Sequence, residues 1–135
     1  MPELPDVIPM VGYEDCAAAA DWLAEAFGFE ELERFDDNGE VTHVTMRKGD
    51  AYVFLGKPGA SYVSPKRLRE QCEAVARMYD VPWVVDGVYV QVDDVDSHRE
   101  RALKAGATIL SEERGERRLY RAEDPEGHRW MIAQR

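Results

Sequence analysis

Val11-Gly-Tyr-Glu-Asp15 is matched 79 residues further on by Val90-Gln-Val-Asp-Asp94. After each aspartate runs a stretch with helical apolar spacing that stops at a glycine, first Gly28 and then Gly106, an offset of 78. The match continues as Gly49-Asp-Ala-Tyr-Val-Phe54 over Gly127-His-Arg-Trp-Met-Ile132, an aromatic over an aromatic with an apolar pair behind it. A chain that repeats itself at this spacing is built from two copies of one supersecondary unit.

Each copy reads as strand, helix and then three strands. Ile8 to Tyr13 is apolar apart from Gly12 and suits a buried strand. Asp15 is a good N-cap, and Ala19, Trp22, Leu23, Ala26 and Phe27 fall on one helical stripe that Gly28 ends. Phe29 to Phe35, Glu40 to Arg47 and Ala51 to Leu55 then form a meander through turns at Asp36-Asp-Asn-Gly39 and Lys48-Gly-Asp50. In the second copy the strands are Val88 to Val92, Thr108 to Ser111, Arg117 to Ala122 and His128 to Ala133. A helix spans Val95 to Ala105, and Asp124-Pro-Glu-Gly127 is a turn. Between the copies, Ser64-Pro65 caps a stretch in which Leu68, Cys72, Val75 and Tyr79 share one helical face, so a single amphipathic helix is expected over about 64–79. The modules are expected at about 5–57 and 85–135, within one domain.

Composition narrows the function classes. The 135 residues carry 17 Lys+Arg against 27 Asp+Glu, a net charge of −10. That argues against nucleic acid, whose phosphates are held by clustered cations. With 44% hydrophobic residues the chain has enough apolar surface for a core. No stretch approaches the length of a membrane span, and Met1 to Pro9 has neither a basic nor an apolar targeting region, so a cytoplasmic protein is expected. Cys16 and Cys72 form no metal or redox motif and read as small buried hydrophobes.

The sequence resembles the vicinal oxygen chelate superfamily, which contains glyoxalase I, bleomycin-resistance proteins and extradiol dioxygenases. The resemblance rests on the paired strand–Asp–helix–Gly blocks, on Val90 to Ala107, and on the tail Arg117-Arg-Leu-Tyr-Arg-Ala-Glu-Asp-Pro-Glu-Gly-His-Arg-Trp130. It implies an α+β fold of two βαβββ modules, whose mixed sheets curl around a cavity, and a homodimer. The metal ligands of the family's enzymes, carried over by this resemblance, would fall at Ile8, Val53, Gly87 and Met131. An aliphatic side chain, a glycine and a thioether do not suit the hard or borderline ions those enzymes use. The expectation is therefore a protein without metal or cofactor, leaning away from an enzyme. It would bind a small molecule as bleomycin-resistance proteins do, with a cationic antibiotic or similar compound as the ligand.

Strand alternation puts Met10 and Gly12, Ala51, Val53 and Leu55, Tyr89 and Gln91, and Arg129, Met131 and Ala133 on the cavity side. The expected ligand-binding set is Met10, Val53, Leu55, Trp83, Tyr89, Gln91, Arg129 and Met131. Arg129 needs a carboxylate or an anionic ligand group if its guanidinium is buried. Trp83 and Tyr62 either line a ligand groove or anchor the insert, and Lys66, Arg67 and Arg69 are a solvated face or an anion clamp. His43, His98 and His128 share no catalytic spacing, with His43 the best placed to look into the cavity. Asp93, Asp94 and Asp96 are explained by helix capping. Two other readings remain: a lyase or dioxygenase whose metal ligands are displaced, using His43 or His128, and a non-catalytic scaffold whose cavity is filled by Met10, Met131 and the middle helix.

Overall fold

In both repeats the aspartate after the first strand caps the following helix. Asp15 accepts from the Ala18 amide at 3.0 Å and Asp94 from the Ser97 amide at 3.1 Å, satisfying donors that a helix start leaves without a partner. A computed structural model describes residues 3–135, which divide into two units between Tyr62 and Val63.

The first unit contains strand β1 (Met10–Gly12), helix α1 (Cys16–Phe27) and strands β2 (Glu30–Asp37), β3 (Glu40–Lys48) and β4 (Ala51–Gly56). They form a four-stranded mixed sheet in the order β1-β4-β3-β2, with β1 parallel to β4. β1 is shorter than the apolar run predicts, because Pro9 has no N–H to extend the ladder and joins it only through its carbonyl, to Phe54 N. The β2–β3 hairpin turns on Asn38-Gly39, both at positive φ, the conformation that matches the twist of the flanking strands. α1 packs on β3 and β4. Its Ala19, Ala20, Leu23, Ala26 and Phe27 are buried together with Val44, Met46, Val53 and Leu55. Each large side chain so removed from water contributes roughly 1.5–3 kcal/mol.

The second unit opens with helices α2 (Pro65–Gln71) and α3 (Glu73–Met78). Strand β5 (Gly87–Val92), helix α4 (Val95–Lys104) and strands β6 (Thr108–Arg114), β7 (Arg118–Glu123) and β8 (Arg129–Gln134) follow. Its sheet repeats the first in the order β5-β8-β7-β6, again with a parallel first pair. Val90, Val92, Tyr120, Ala122, Trp130 and Ile132 form the core on the side of α4. Asp124 organises the β7–β8 turn. Its side chain accepts from the Glu126 and His128 amides and from Trp130 Nε1.

The two mixed sheets with their helices are the βαβββ arrangement expected, and each sheet is open, with β1 and β2 or β5 and β6 at its edges. The middle segment differs from expectation. The single helix over 64–79 is broken at Cys72, whose extended backbone (φ −139°, ψ 114°) ends α2 and starts α3. A straight helix would hold residues 69 and 79 about 15 Å apart along its axis. Here both meet the same ion pair, with the Arg69 and Arg129 guanidiniums 5.4 and 5.0 Å from the centre of the Tyr79 ring.

The repeat also has a finer register than its glycines suggest. The β3–β4 hairpin closes with Lys48 opposite Ala51, whereas β7–β8 closes with Glu123 opposite Arg129 across a longer connection. Met10 lies opposite Phe54, and Tyr89 lies opposite Met131. The offset is thus 79 in the first strands and 77 in the last, so the counterpart of Met131 is Phe54.

Candidate ligand-binding faces

Helices α1 and α4 cover one face of each sheet, and the other face, which the α2–α3 segment partly covers over Glu123 and Arg129 in the second unit, carries the side chains available to a ligand. In the first unit the register joins Val11, Val44, Met46, Val53 and Leu55 on the α1 side. Val53 and Leu55 are 3% and 0% exposed there. This corrects their expected place on the cavity side, since alternation counted from a one-residue error inverts every side chain of a strand. The opposite face holds Met10, Gly12, Phe35, His43, Thr45, Tyr52 and Phe54. Met10 is 80% exposed, and Phe35 is also exposed. The His43 ring lies 5.7 Å from Phe35 and 5.0 Å from Phe54, centre to centre, and its Nε2 bonds Thr45 Oγ1 at 2.9 Å. An aromatic strip therefore crosses this face, with His43 in it. Phe35 and Phe54 were not singled out by the sequence, and correct strand register is the signal that finds them.

In the second unit Tyr89, Gln91, Met131, Ala133, Arg121, Glu123 and Arg129 share the face away from α4. Tyr89 is 57% exposed, Gln91 is exposed and Met131 is half-buried. Trp83, 55% exposed, reaches this face from the segment before β5, where its ring lies 5.3 Å from the Arg121 guanidinium. Tyr89, Gln91, Met131 and Trp83 are thus brought to one surface.

Arg129 is on the same side of the sheet, yet it is 2% exposed and its donors are engaged. Nε donates to Glu123 at 2.9 Å, Nη1 to the Val81 and Trp83 carbonyls at 2.6 and 2.7 Å, and Nη2 to the Tyr79 carbonyl at 2.7 Å. Of the two partners its burial allowed, a carboxylate or a ligand anion, the structure supplies the carboxylate. Glu123 also takes both terminal nitrogens of Arg69, at 2.8 and 3.0 Å. Burial pushes the Glu123 carboxyl up, but the Arg69 and Arg129 guanidiniums outweigh it and hold it below the usual carboxylate range. Arg69 therefore leaves the expected basic cluster to anchor α2.

Other candidates have structural positions. His98 is buried on α4, with Nδ1 2.6 Å from the Tyr120 hydroxyl. Burial pushes that phenol well above its ordinary range. Asp94 is a helix cap, Asp96 pairs with Arg118, and Asp93 pairs with Arg135. Tyr62 donates to the Gly12 carbonyl at 2.9 Å. Among the described residues no group of three or more His, Cys, Asp or Glu side chains is placed to hold a metal ion. None of the described helices is long and apolar enough to cross a membrane.

Residues 9–132 match the family described as the Glyoxalase/Bleomycin resistance protein/Dioxygenase superfamily. The chain belongs to this superfamily. It is 28% identical to an uncharacterized protein of Mycobacterium bovis, over 96% of this chain and 83% of that one. Among solved structures it is similar to TioX from Micromonospora sp. ML1, with 27% identity, 96% and 98% of the two chains covered and a TM-score of 0.69. TnmS3, an antibiotic binding protein from Streptomyces sp. CB03234, shares the fold at 16% identity, 98% coverage of both chains and a TM-score of 0.64. The fosfomycin resistance protein FosX from Listeria monocytogenes does so at 14% identity, 100% and 95% coverage and a TM-score of 0.66.

The metal positions that the superfamily implies do not fit a metal in this chain. With the register corrected they fall at Ile8, Phe54, Gly87 and Met131, where no side chain offers an imidazole, carboxylate or amide. Gly87 cannot be supplemented, because a Cβ there would collide with the Arg129 carbonyl and with the Val84 side chain.

Proposed function

We propose that this superfamily member is a metal-free binding protein, which holds a small organic molecule on an open sheet face and sequesters it without transforming it. The observation that carries this reading is the composition of the open faces: Met10, Phe35, His43 and Phe54 on one sheet, and Trp83, Tyr89, Gln91 and Met131 on the other. Aromatic and thioether groups left in contact with water, with a few polar groups among them, are the lining that small-molecule sites use. The donor set at the superfamily's metal positions supports binding over Lewis-acid chemistry, since no residue there could hold the ion. The antibiotic-binding description of TnmS3 supports an antibiotic or similar compound as the ligand class. The exposed Val7 ahead of β1 favours burial against a second copy, and the protein is proposed to act as a cytoplasmic homodimer.

The test is a calorimetric screen of an antibiotic collection against the full chain, with mass spectrometry of the recovered compound and elemental analysis of the protein. A hit is expected to come back chemically unchanged, with less than a tenth of an equivalent of divalent metal per chain. Phe35→Ala for a hit on the first sheet, or Tyr89→Ala for one on the second, should weaken it about tenfold, the loss of one well-placed aromatic contact. Light scattering should give twice the chain mass. A chemically altered compound, or one equivalent of tightly held metal, would overturn the reading.

A further inference from the structure

Register sets Tyr89, Met131, Arg121 and Ser111 side by side across β5, β8, β7 and β6 on the open face of the second sheet. With neighbouring strands about 4.8 Å apart, this row is roughly 14 Å long. Tyr89 stands exposed at one end, Met131 forms a half-buried floor, and the exposed Trp83 ring lies against Arg121 towards the other end. A polarizable thioether floor between two rings suits a flat, unsaturated guest.

The charges on this face decide what else the guest carries. Two ion-pair groups lie here, each with two guanidiniums on one carboxylate: Arg69 and Arg129 on Glu123, and Arg117 and Arg121 on Glu113. In the first group the excess positive charge is met by the carbonyls of Tyr79, Val81 and Trp83. The second has no such ring of carbonyls. Arg121 donates from Nη1 to Ser111 Oγ at 3.1 Å and from Nη2 to Glu113 Oε2 at 2.9 Å, which uses two of the five N–H bonds of a guanidinium. No fully buried side-chain nitrogen or oxygen among the described residues lacks a partner, so the remaining donor nitrogen of Arg121, Nε, keeps some contact with solvent on a side chain that is 10% exposed. On a chain with a net charge of −10, these two groups set four guanidiniums against two carboxylates on one face. At physiological salt the distant acidic residues are screened beyond about 8 Å, so the nearby guanidiniums set the preference.

We infer that the open face of the second sheet binds a planar aromatic acid, with its ring system over Met131 between Tyr89 and Trp83 and its anionic group on the Arg121 guanidinium. The inference rests on the small-molecule-binding reading and reverses the expectation of a cationic ligand that the overall charge suggests.

The experiment is isothermal calorimetry on the full chain at neutral pH, with 2-naphthoate, the neutral 2-naphthamide and 2-naphthylmethylammonium as probes of one ring system. Naphthoate should bind at least tenfold more tightly than the amide, and the ammonium most weakly. Trp83→Leu should weaken all three about fivefold. Arg121→Gln should remove the preference for the acid over the amide. Because Arg121 is largely buried and that variant could perturb folding, Glu113→Gln provides the opposite sign. It removes the carboxylate that competes for Arg121 and should tighten naphthoate severalfold with little change for the amide, which damage to the fold could not produce. Equal affinities, preference for the ammonium, or weaker naphthoate binding in Glu113→Gln would each overturn the aromatic-acid inference while leaving small-molecule binding in place. No binding of any probe up to millimolar concentration would overturn it too, and the antibiotic screen then decides the broader reading separately.

Discussion

At the scale of single residues, Arg129 shows how much a buried charge depends on what surrounds it. Its guanidinium faces one carboxylate, three backbone carbonyls and the Tyr79 ring. The planar fork of five donors suits this set, and an ammonium could not reproduce it. Arg129→Ala is expected to destabilise the chain by about 3 kcal/mol, the cost of breaking a buried, bonded ion pair. Arg129→Lys should recover less than half of that. Urea unfolding measures both, and a loss below 1 kcal/mol in the alanine variant would show that the network contributes little. The sequence reading placed Arg129 among the ligand-binding residues, with a carboxylate or an anionic ligand group as its partner. The structure supplies the carboxylate and three carbonyls besides, which the sequence did not show because Tyr79, Val81 and Trp83 come from a segment whose path no local pattern specifies.

At the scale of elements, the segment from α2 to β5 is held by backbone fit as much as by side chains. The amide of Lys66 donates to the Glu126 carbonyl at 3.0 Å, which ties the start of α2 to the turn before β8. At the far end, Gly87 lies opposite Arg129, and the space a Cβ would need is taken by the Arg129 backbone and Val84. Gly87→Ala should therefore cost about 1–3 kcal/mol through overpacking. It should also speed protease cleavage within residues 79–86, while α4 and β6 to β8 keep their protection. Uniform loss of protection would mean that the segment and the sheet unfold as one unit. The helix caps at Asp15, Ser64 and Asp94 were legible because a short oxygen-bearing side chain before an apolar stripe has one efficient use. The break at Cys72 was not, since the apolar spacing runs through it and only convergence on Glu123 and Arg129 demands it.

At the scale of the whole molecule, acid sensitivity follows from the paired carboxylates. The Glu123 carboxyl is held below its ordinary value of 4.5 by Arg69 and Arg129, against the opposing effect of burial. A carboxyl depressed in the folded state contributes stability that is fully present above that ordinary value and is lost as pH falls through the lowered one. Stability should thus be flat from pH 7 to about 5 and fall below about 4. Glu123→Gln, less stable at neutral pH, should show a shallower fall. Urea unfolding of both proteins between pH 3 and 7 reads the difference, and parallel curves would assign the acid loss to other groups.

The sequence by itself determined the repeated βαβββ order, the helix caps and the hairpin turns. These follow from local chemistry and from periodicity, which the chain carries residue by residue. The tertiary structure alone decided which face of β4 meets α1, and with it the exchange of Val53 and Leu55 for Phe54 and Phe35 on the face away from the helix. It also decided that Arg129 anchors the inserted segment while Arg121 lies on the face away from α4 beside Trp83. The physical reason is common to both. A strand's alternation fixes that neighbours point apart but not which of them points inward, and an arginine's partner is set by long-range approach of chain segments that are distant in sequence.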